Sequence, residues 1–182
     1  MDRTIKTLFE NLKDDDKDLQ YESFMKLLDS TNEKVHWAYE VWDQLLKDVT
    51  EGDNHQRSRA VQFLCNLAKS DPEKRILKDF PTVWAVTKDN KFVTARHSLK
   101  SIWKIALAGS EQKELVLNQL TDRFITGTDE KNYTLIRFDI IESLRKLYIE
   151  LKDEQVKQLA LDLIEKEDDP KYKKKYASVW SE

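Results

Sequence analysis

Three histidines and one cysteine are the residues of this sequence best suited to bind a metal ion or to act as a base or nucleophile. His36, His55 and His97 lie far apart, and none is three or four residues from another histidine or from Cys65. Helical metal sites need such spacing, because only residues one turn apart share a helix face. We therefore expect no metal site and no catalytic residue.

Other catalytic motifs are also missing. With 3 glycines in 182 residues, the chain lacks the glycine-rich loops that hold phosphates and dinucleotides. Asp and Glu number 34, but no pair stands in an apolar setting that would prepare an acid or a base. Cys65 lies between Leu64 and Leu67 and is expected to be a buried thiol. The sequence predicts a protein that is not an enzyme and that uses no cofactor.

Basic residues are concentrated in two acid-free stretches, 54–70 and 90–110, although the whole chain has a net charge of −3. In the second stretch, basic residues recur at helical spacing on the side opposite an apolar stripe that includes Leu99 and Trp103. We predict a groove that binds an anion or an acidic partner; a solvated face with no ligand is the alternative. The predicted residues of this basic strip are Arg59, His97, Lys100 and Lys104.

Tryptophans are the other residues that often anchor partners. Trp42, Trp84 and Trp103 fall on apolar stripes and are expected in the core. Trp37 lies at the flank of its stripe, with Tyr39 farther around the helix. Exposed aromatic residues make strong interface anchors, so Trp37 is a candidate for an aromatic contact with a partner.

The elements that carry these residues are helices. Apolar residues recur at helical spacing along the chain, as in Ile5, Leu8, Phe9 and Leu12, and no segment alternates as a strand would. About ten helices and no sheet are expected. Hydrophobic residues make up 40% of the chain, but no run is long enough to span a membrane and no signal-peptide block follows Met1. We expect a cytoplasmic protein that does not contact a membrane.

Prolines and glycines mark the helix ends. Asp71–Pro72 and Asp169–Pro170 each place a capping aspartate before a first-turn proline and predict a helix start. Pro81 lies inside an apolar run, where it predicts a kink or a restart. The three glycines all follow periodic runs and predict helix stops; they are Gly52, Gly109 and Gly127.

One pattern occurs five times along the chain. A basic or amide residue is followed by a small or apolar pair three and four positions later and by a large apolar residue at position seven. Successive anchors are 36 to 41 residues apart, and one further helix lies between them. The anchors are Gln20, Arg57, Arg96, Arg137 and Lys173. An aspartate precedes each anchor, at Asp16, Asp53, Asp89, Asp129 and Asp169.

This pattern resembles the HEAT repeat family, whose second helix commonly opens with an aspartate, a short gap and an arginine. The segment from Asp53 to Ala68 is the closest match. The resemblance implies a right-handed superhelix of about five helical hairpins in one domain, with approximate repeats at 1–30, 31–70, 71–108, 109–150 and 151–182. It also implies that Arg57, Arg96 and Arg137 bond across neighbouring repeats. Tetratricopeptide and armadillo units fit less well, because their period or their helix number differs.

The resemblance favours an interaction scaffold that binds a protein or peptide partner, including an acidic one, along its concave side. The alternative is a nucleic-acid-associated protein similar to the HEAT-like DNA alkylation repair glycosylases. Those enzymes use a tryptophan and an aspartate one turn apart plus an arginine. Here Leu46, Lys88 and Leu107 stand one turn after the three core tryptophans, so the glycosylase residue set is incomplete. Cofactor-attachment chaperones with HEAT-like repeats are a third class, and no residue selects it.

Overall fold

The computed structural model describes residues 1–181 and is all-helical, as predicted; these residues contain no strand. Glu182, the last residue of the fifth predicted repeat, lies outside the described residues. The α-helices are α1 (Arg3–Asn11), α2 (Lys17–Ser30), α3 (Ala38–Glu51), α4 (Asn54–Leu67), α5 (Arg75–Ala85), α6 (Phe92–Leu99), α7 (Ser110–Thr126), α8 (Tyr133–Leu151), α9 (Glu154–Glu165) and α10 (Pro170–Val179). Short 3-10 helices occur at Ala68–Ser70, Val86–Lys88, Ile102–Ala108 and Gly127–Asp129.

Aspartates begin several of these helices. Asp16, Asp53 and Asp169, three of the five repeated aspartates, are the N-caps of α2, α4 and α10. Asp53 forms a capping box: its carboxylate accepts from the Gln56 backbone N–H at 2.8 Å, and the Gln56 side chain accepts from the Asp53 N–H at 2.9 Å. Asp89 and Asp129 are not N-caps. The repeated aspartates therefore do not all have the same structural role.

The helices form two compact units, Met1–Ser98 and Leu99–Glu182. In the first unit, α3 packs closely on α4, α1 packs on α2, and α5 lies against α3. The Trp42 indole N–H donates to Asp79 at 2.9 Å, which satisfies the polar atom of this fully buried ring. The largest fully buried side chains of the first unit are Trp42, Phe63, Leu27, Leu64, Leu67 and Ile76.

In the second unit, the 3-10 helix Ile102–Ala108 packs against α7 and α8, and α8 contacts α9 and α10. Tyr176 of α10 is fully buried and donates its hydroxyl to the Thr134 carbonyl at 2.8 Å. Burial raises the pKa of the Tyr176 phenol well above its ordinary value. The buried apolar residues of the second unit include Ile102, Ile105, Leu120, Phe124, Ile141 and Leu163.

Two helix starts differ from the predictions. The helix expected at Pro72 begins at Arg75, after Lys74 in the left-handed conformation with φ of 54°. Asp71 still caps it across the intervening turn, because its carboxylate accepts from the backbone N–H of Arg75 at 2.9 Å and of Ile76 at 2.8 Å. The apolar spacing within residues 33–49 also predicts a helix from Glu33, and this helix begins only at Ala38.

Proline 81 does not interrupt its helix. The prediction of a restart at this position is wrong, because α5 continues from Arg75 through Pro81 to Ala85. The proline lacks the N–H that would bond the preceding turn, and the surrounding packing of Phe80 and Val83, both buried, holds the helix through it. Gly52 and Gly127 end α3 and α7, and Gly109 ends the 3-10 helix before α7, as expected.

Candidate functional site

Two of the repeated arginines hold the fold together. Arg57 donates to both carboxylate oxygens of Asp89, at 2.7 and 3.1 Å, and to the Gly52 carbonyl at 2.9 Å. Arg137 donates to Glu167 at 2.7 Å and to the Phe124 carbonyl at 3.0 Å. In both cases the partner acid lies just before the next anchor helix. Both arginines therefore have a structural role, each joining its helix to a loop about thirty residues farther along the chain.

A cavity of about 370 Å³ lies inside the first unit, between α1, α3 and α4. It is lined by α1 and the residues on either side of it, by α3 residues one turn apart, and by α4 residues between Gln56 and Phe63. The lining residues that matter below are Phe9, Val41, Leu45, Arg59, Ala60 and Phe63.

The walls of the cavity are apolar and aromatic. The rings of Phe9 and Phe63 have centroids 5.7 Å apart, and Phe63 also contacts Phe24 at 5.4 Å. Val41, Leu45 and the small Ala60 complete the apolar surface. Apolar walls with few polar groups are typical of ligand pockets.

Arg59 is the one charged residue of α4 that lines the cavity, and its side chain is half-buried. Its guanidinium donates to the Gln20 side-chain oxygen at 3.1 Å and to the Leu12 carbonyl at a long 3.4 Å. Both acceptors are neutral. Burial lowers the pKa of Arg59, and the negative charge of Asp53 opposes that effect only in part. The cavity therefore contains a desolvated positive charge without a carboxylate in hydrogen-bond contact among residues 1–181.

Charges of both signs surround the cavity. The amino group of Met1 donates to Glu40 at 2.7 Å, and the Gln44 side chain donates to Asp48 at 2.9 Å. Lys6 and Glu10 are exposed on α1. Mixed rim charges do not select one sign of ligand, so selectivity for charge rests on Arg59.

The four residues of the predicted basic strip are divided between the two units. Arg59 and His97 belong to the first unit, with His97 exposed on α6, whereas Lys100 and Lys104 belong to the second unit. Lys104 is half-buried with its ammonium 5.9 Å from the Trp103 ring centroid. The groove that the four residues were expected to share stays a prediction.

The helical face assumed for the strip is wrong beyond Leu99. α6 ends there, and Ile102–Ala108 is a 3-10 helix, in which side chains repeat every three residues instead of every 3.6. Ile102 and Ile105, three residues apart, are both fully buried. The predicted α-helical stripe did not include Ile105. Its four members, Leu99, Ile102, Trp103 and Ala106, are buried as expected.

Trp37 is not an exposed contact. Only 4% of its surface is accessible, and its ring meets the edge of Phe9 at a centroid distance of 5.7 Å and an interplanar angle of 83°. The prediction of an aromatic anchor at Trp37 is corrected accordingly: the indole supports Phe9, which forms the cavity wall. The reason is that Trp37 precedes α3 and is not on its outer face, because α3 begins only at Ala38.

Sequence analysis missed the cavity, although one signal was present. Buried residues occur around most of α4. Phe63 and Leu67 are buried although they do not belong to the repeated pattern, which in this helix is Arg57, Ala60, Val61 and Leu64. A helix that is apolar on more than one side packs against more than one neighbour. The sequence of one helix does not show which two of its neighbouring helices leave a cavity between them.

Residues 1–181 contain neither a candidate metal-binding cluster nor a membrane-spanning helix. No group of three or more His, Cys, Asp or Glu side chains is placed to hold a metal ion there, and no helix there is long and apolar enough to cross a bilayer. Cys65 is fully buried, as expected.

No protein-family model matches this chain, and no curated protein is significantly similar to it.

Proposed function

We propose that this protein is a non-catalytic interaction protein, built as a short superhelical array of HEAT-like hairpins, and that it binds a segment of a protein partner in the cavity of the first unit. The observation that carries the proposal is this apolar cavity, which is lined by Phe9 and Phe63 and contains the half-buried Arg59. Cross-repeat bonds such as Arg57–Asp89 support the repeat assignment.

A peptide segment suits the dimensions and surroundings of the cavity. Its volume of about 370 Å³ is at the lower end of the roughly 300–1,000 Å³ range of ligand pockets, enough for one or two large side chains. The exposed polar rim on α1 and α3 can bond the backbone on either side of such an anchor. Binding through one buried anchor and a polar rim is common in protein recognition.

The first prediction is that a random peptide library selected on the purified protein yields binders that depend on the cavity. Gln44→Trp places a bulky ring at the exposed rim, where it obstructs entry without altering the core. We expect selected peptides to bind this variant at least tenfold more weakly by fluorescence anisotropy. Lys47→Trp is the matched control, because it adds the same ring to an exposed position of α3 that does not line the cavity.

Two results would contradict the proposal. One is the absence of any peptide enriched over a blank surface; the other is equal binding by the Gln44→Trp and Lys47→Trp proteins. A random DNA duplex is titrated in parallel at two salt concentrations. Tight, steeply salt-dependent duplex binding without peptide binding would favour the nucleic-acid alternative, for which the acid-free segment 90–110 is the supporting feature.

A further inference from the structure

Arg59 differs from the other arginines whose partners the structure defines. Arg57, Arg75, Arg123 and Arg137 each donate to a carboxylate, respectively that of Asp89, Asp43, Glu130 and Glu167. Arg59 donates only to the neutral oxygens of Leu12 and Gln20 among residues 1–181. A desolvated charge that lacks a counter-charge costs free energy, and a ligand that supplied the counter-charge would remove that cost.

The guanidinium has capacity for such a ligand. It carries five N–H donors, and its two hydrogen bonds leave the others for a ligand in the cavity. The bond to the Leu12 carbonyl, at 3.4 Å, is long and contributes little. A planar fork of donors matches the two oxygens of a carboxylate.

On the basis of the proposed function, we infer that the partner segment carries a carboxylate and a large apolar side chain on the same face, with the carboxylate bound to Arg59 and the apolar side chain packed against Phe9 and Phe63. Arg59 and Phe63 are four residues apart on α4 and both line the cavity. Their Cβ atoms are therefore roughly 5–6 Å apart. In an extended peptide, side chains two residues apart lie on one face at a comparable spacing of about 6.6 Å, so one peptide face reaches both residues.

A carboxylate suits the site better than a phosphate. Three acidic residues, Glu10, Glu40 and Asp48, line the same cavity. Lys6, Lys13 and the Met1 amino group line it as well, so the rim charges largely cancel. The single charge of Arg59 then matches a carboxylate with its charge of −1 and leaves part of a phosphate's charge near −2 unbalanced. One arginine then balances one carboxylate.

The inference is tested with a peptide library in which the residue two positions before a fixed phenylalanine, on the same face of an extended peptide, is Glu or Gln in a one-to-one mixture and the remaining positions are random. After selection on the wild-type protein, sequencing is expected to show Glu over Gln by roughly tenfold, the discrimination of one charge-assisted hydrogen bond. On Arg59→Gln the ratio should fall close to one, and on Arg59→Lys it should remain above one because the charge is retained.

Failure of the inference differs from failure of the proposed function. Peptides that are enriched, lost on Gln44→Trp and equally rich in Glu and Gln on wild type would overturn the carboxylate assignment and leave peptide binding intact. No enrichment on any protein would overturn both. The wild-type ratio does not depend on a variant that folds, so the test holds even if Arg59→Gln is unstable. Displacement of selected peptides by 4-phenylbutyrate at equal concentration would identify a small amphipathic carboxylate as the ligand instead.

Discussion

Each of the two units uses an arginine to tie one anchor helix to the loop before the next, but the two arginines lie in different surroundings. In the first unit, the side chains of Arg57 and Asp89 are 22% and 8% exposed. In the second, those of Arg137 and Glu167 are 8% and 3% exposed. The Arg137 guanidinium also lies 4.4 Å from the ring centroid of Phe124, which shields it further from water.

This comparison shows that one sequence pattern can have different energetic consequences. Water can replace a lost partner at Arg57, because part of that side chain reaches solvent. At Arg137 water has little access, so loss of the partner leaves a buried charge uncompensated. The exposure of the arginine, which the repeat pattern does not encode, decides the cost.

The largest effect is expected from Glu167→Gln, which keeps the shape of the side chain and removes its charge. We expect the free energy of unfolding to fall by about 3 kcal/mol in urea titrations followed by circular dichroism. Glu165→Gln is the matched control, since Glu165 is 74% exposed in its pair with Lys173, and should cost less than about 0.5 kcal/mol. Equal effects of the two substitutions would show that burial does not set the difference.

An intermediate effect is expected from Asp89→Asn. The asparagine can still accept from Arg57, and the part of the Arg57 side chain that reaches solvent can be hydrated, so the loss should be about 1 kcal/mol in the same titration. Glu51→Gln, which alters an exposed pair with Lys47 at 3.9 Å, serves as control and should change almost nothing. A loss as large as that of Glu167→Gln would break the comparison between the two units.

The smallest effect is the pH dependence of the Arg57–Asp89 pair. The Arg57 guanidinium, and then the Lys91 backbone N–H, lower the pKa of Asp89 below its ordinary value of 3.8. A carboxyl group whose pKa is lowered on folding stabilises the protein above its unfolded pKa, and this stabilisation is lost as the pH falls through its folded pKa. The stability difference between wild type and Asp89→Asn should therefore shrink from pH 7 to pH 3, measured by urea midpoints. A difference that is the same at both pH values would contradict the assignment of this effect to Asp89.

Sequence reasoning was reliable where one helix contains the whole signal. The N-cap Asp169 was predicted from local sequence, because a cap bonds only to the next turn. Sequence reasoning failed where a short segment fits both an α-helix and a 3-10 helix. Over the seven residues Ile102–Ala108, repeats of 3 and 3.6 residues bury nearly the same side chains, so the sequence did not distinguish a 3-10 helix from an α-helix.

The candidate site shows the same division. Arg59 was selected from the sequence as a basic residue in an acid-free stretch, but its partners Leu12 and Gln20 are 47 and 39 residues away along the chain. Its place beside Phe9 depends on how α1 packs on its neighbours. Trp37 was misjudged for the same reason, since Phe9 covers it from another helix.

The sequence by itself determined the helical class and several helix ends, because helix periodicity and capping are properties of neighbouring residues. Only the tertiary structure decided which arginine pairs are buried, where the 3-10 helix replaces an α-helix, and that Arg59 at the cavity donates no hydrogen bond to a carboxylate within residues 1–181. Each of these depends on side chains that are distant in sequence and on the water that their packing excludes.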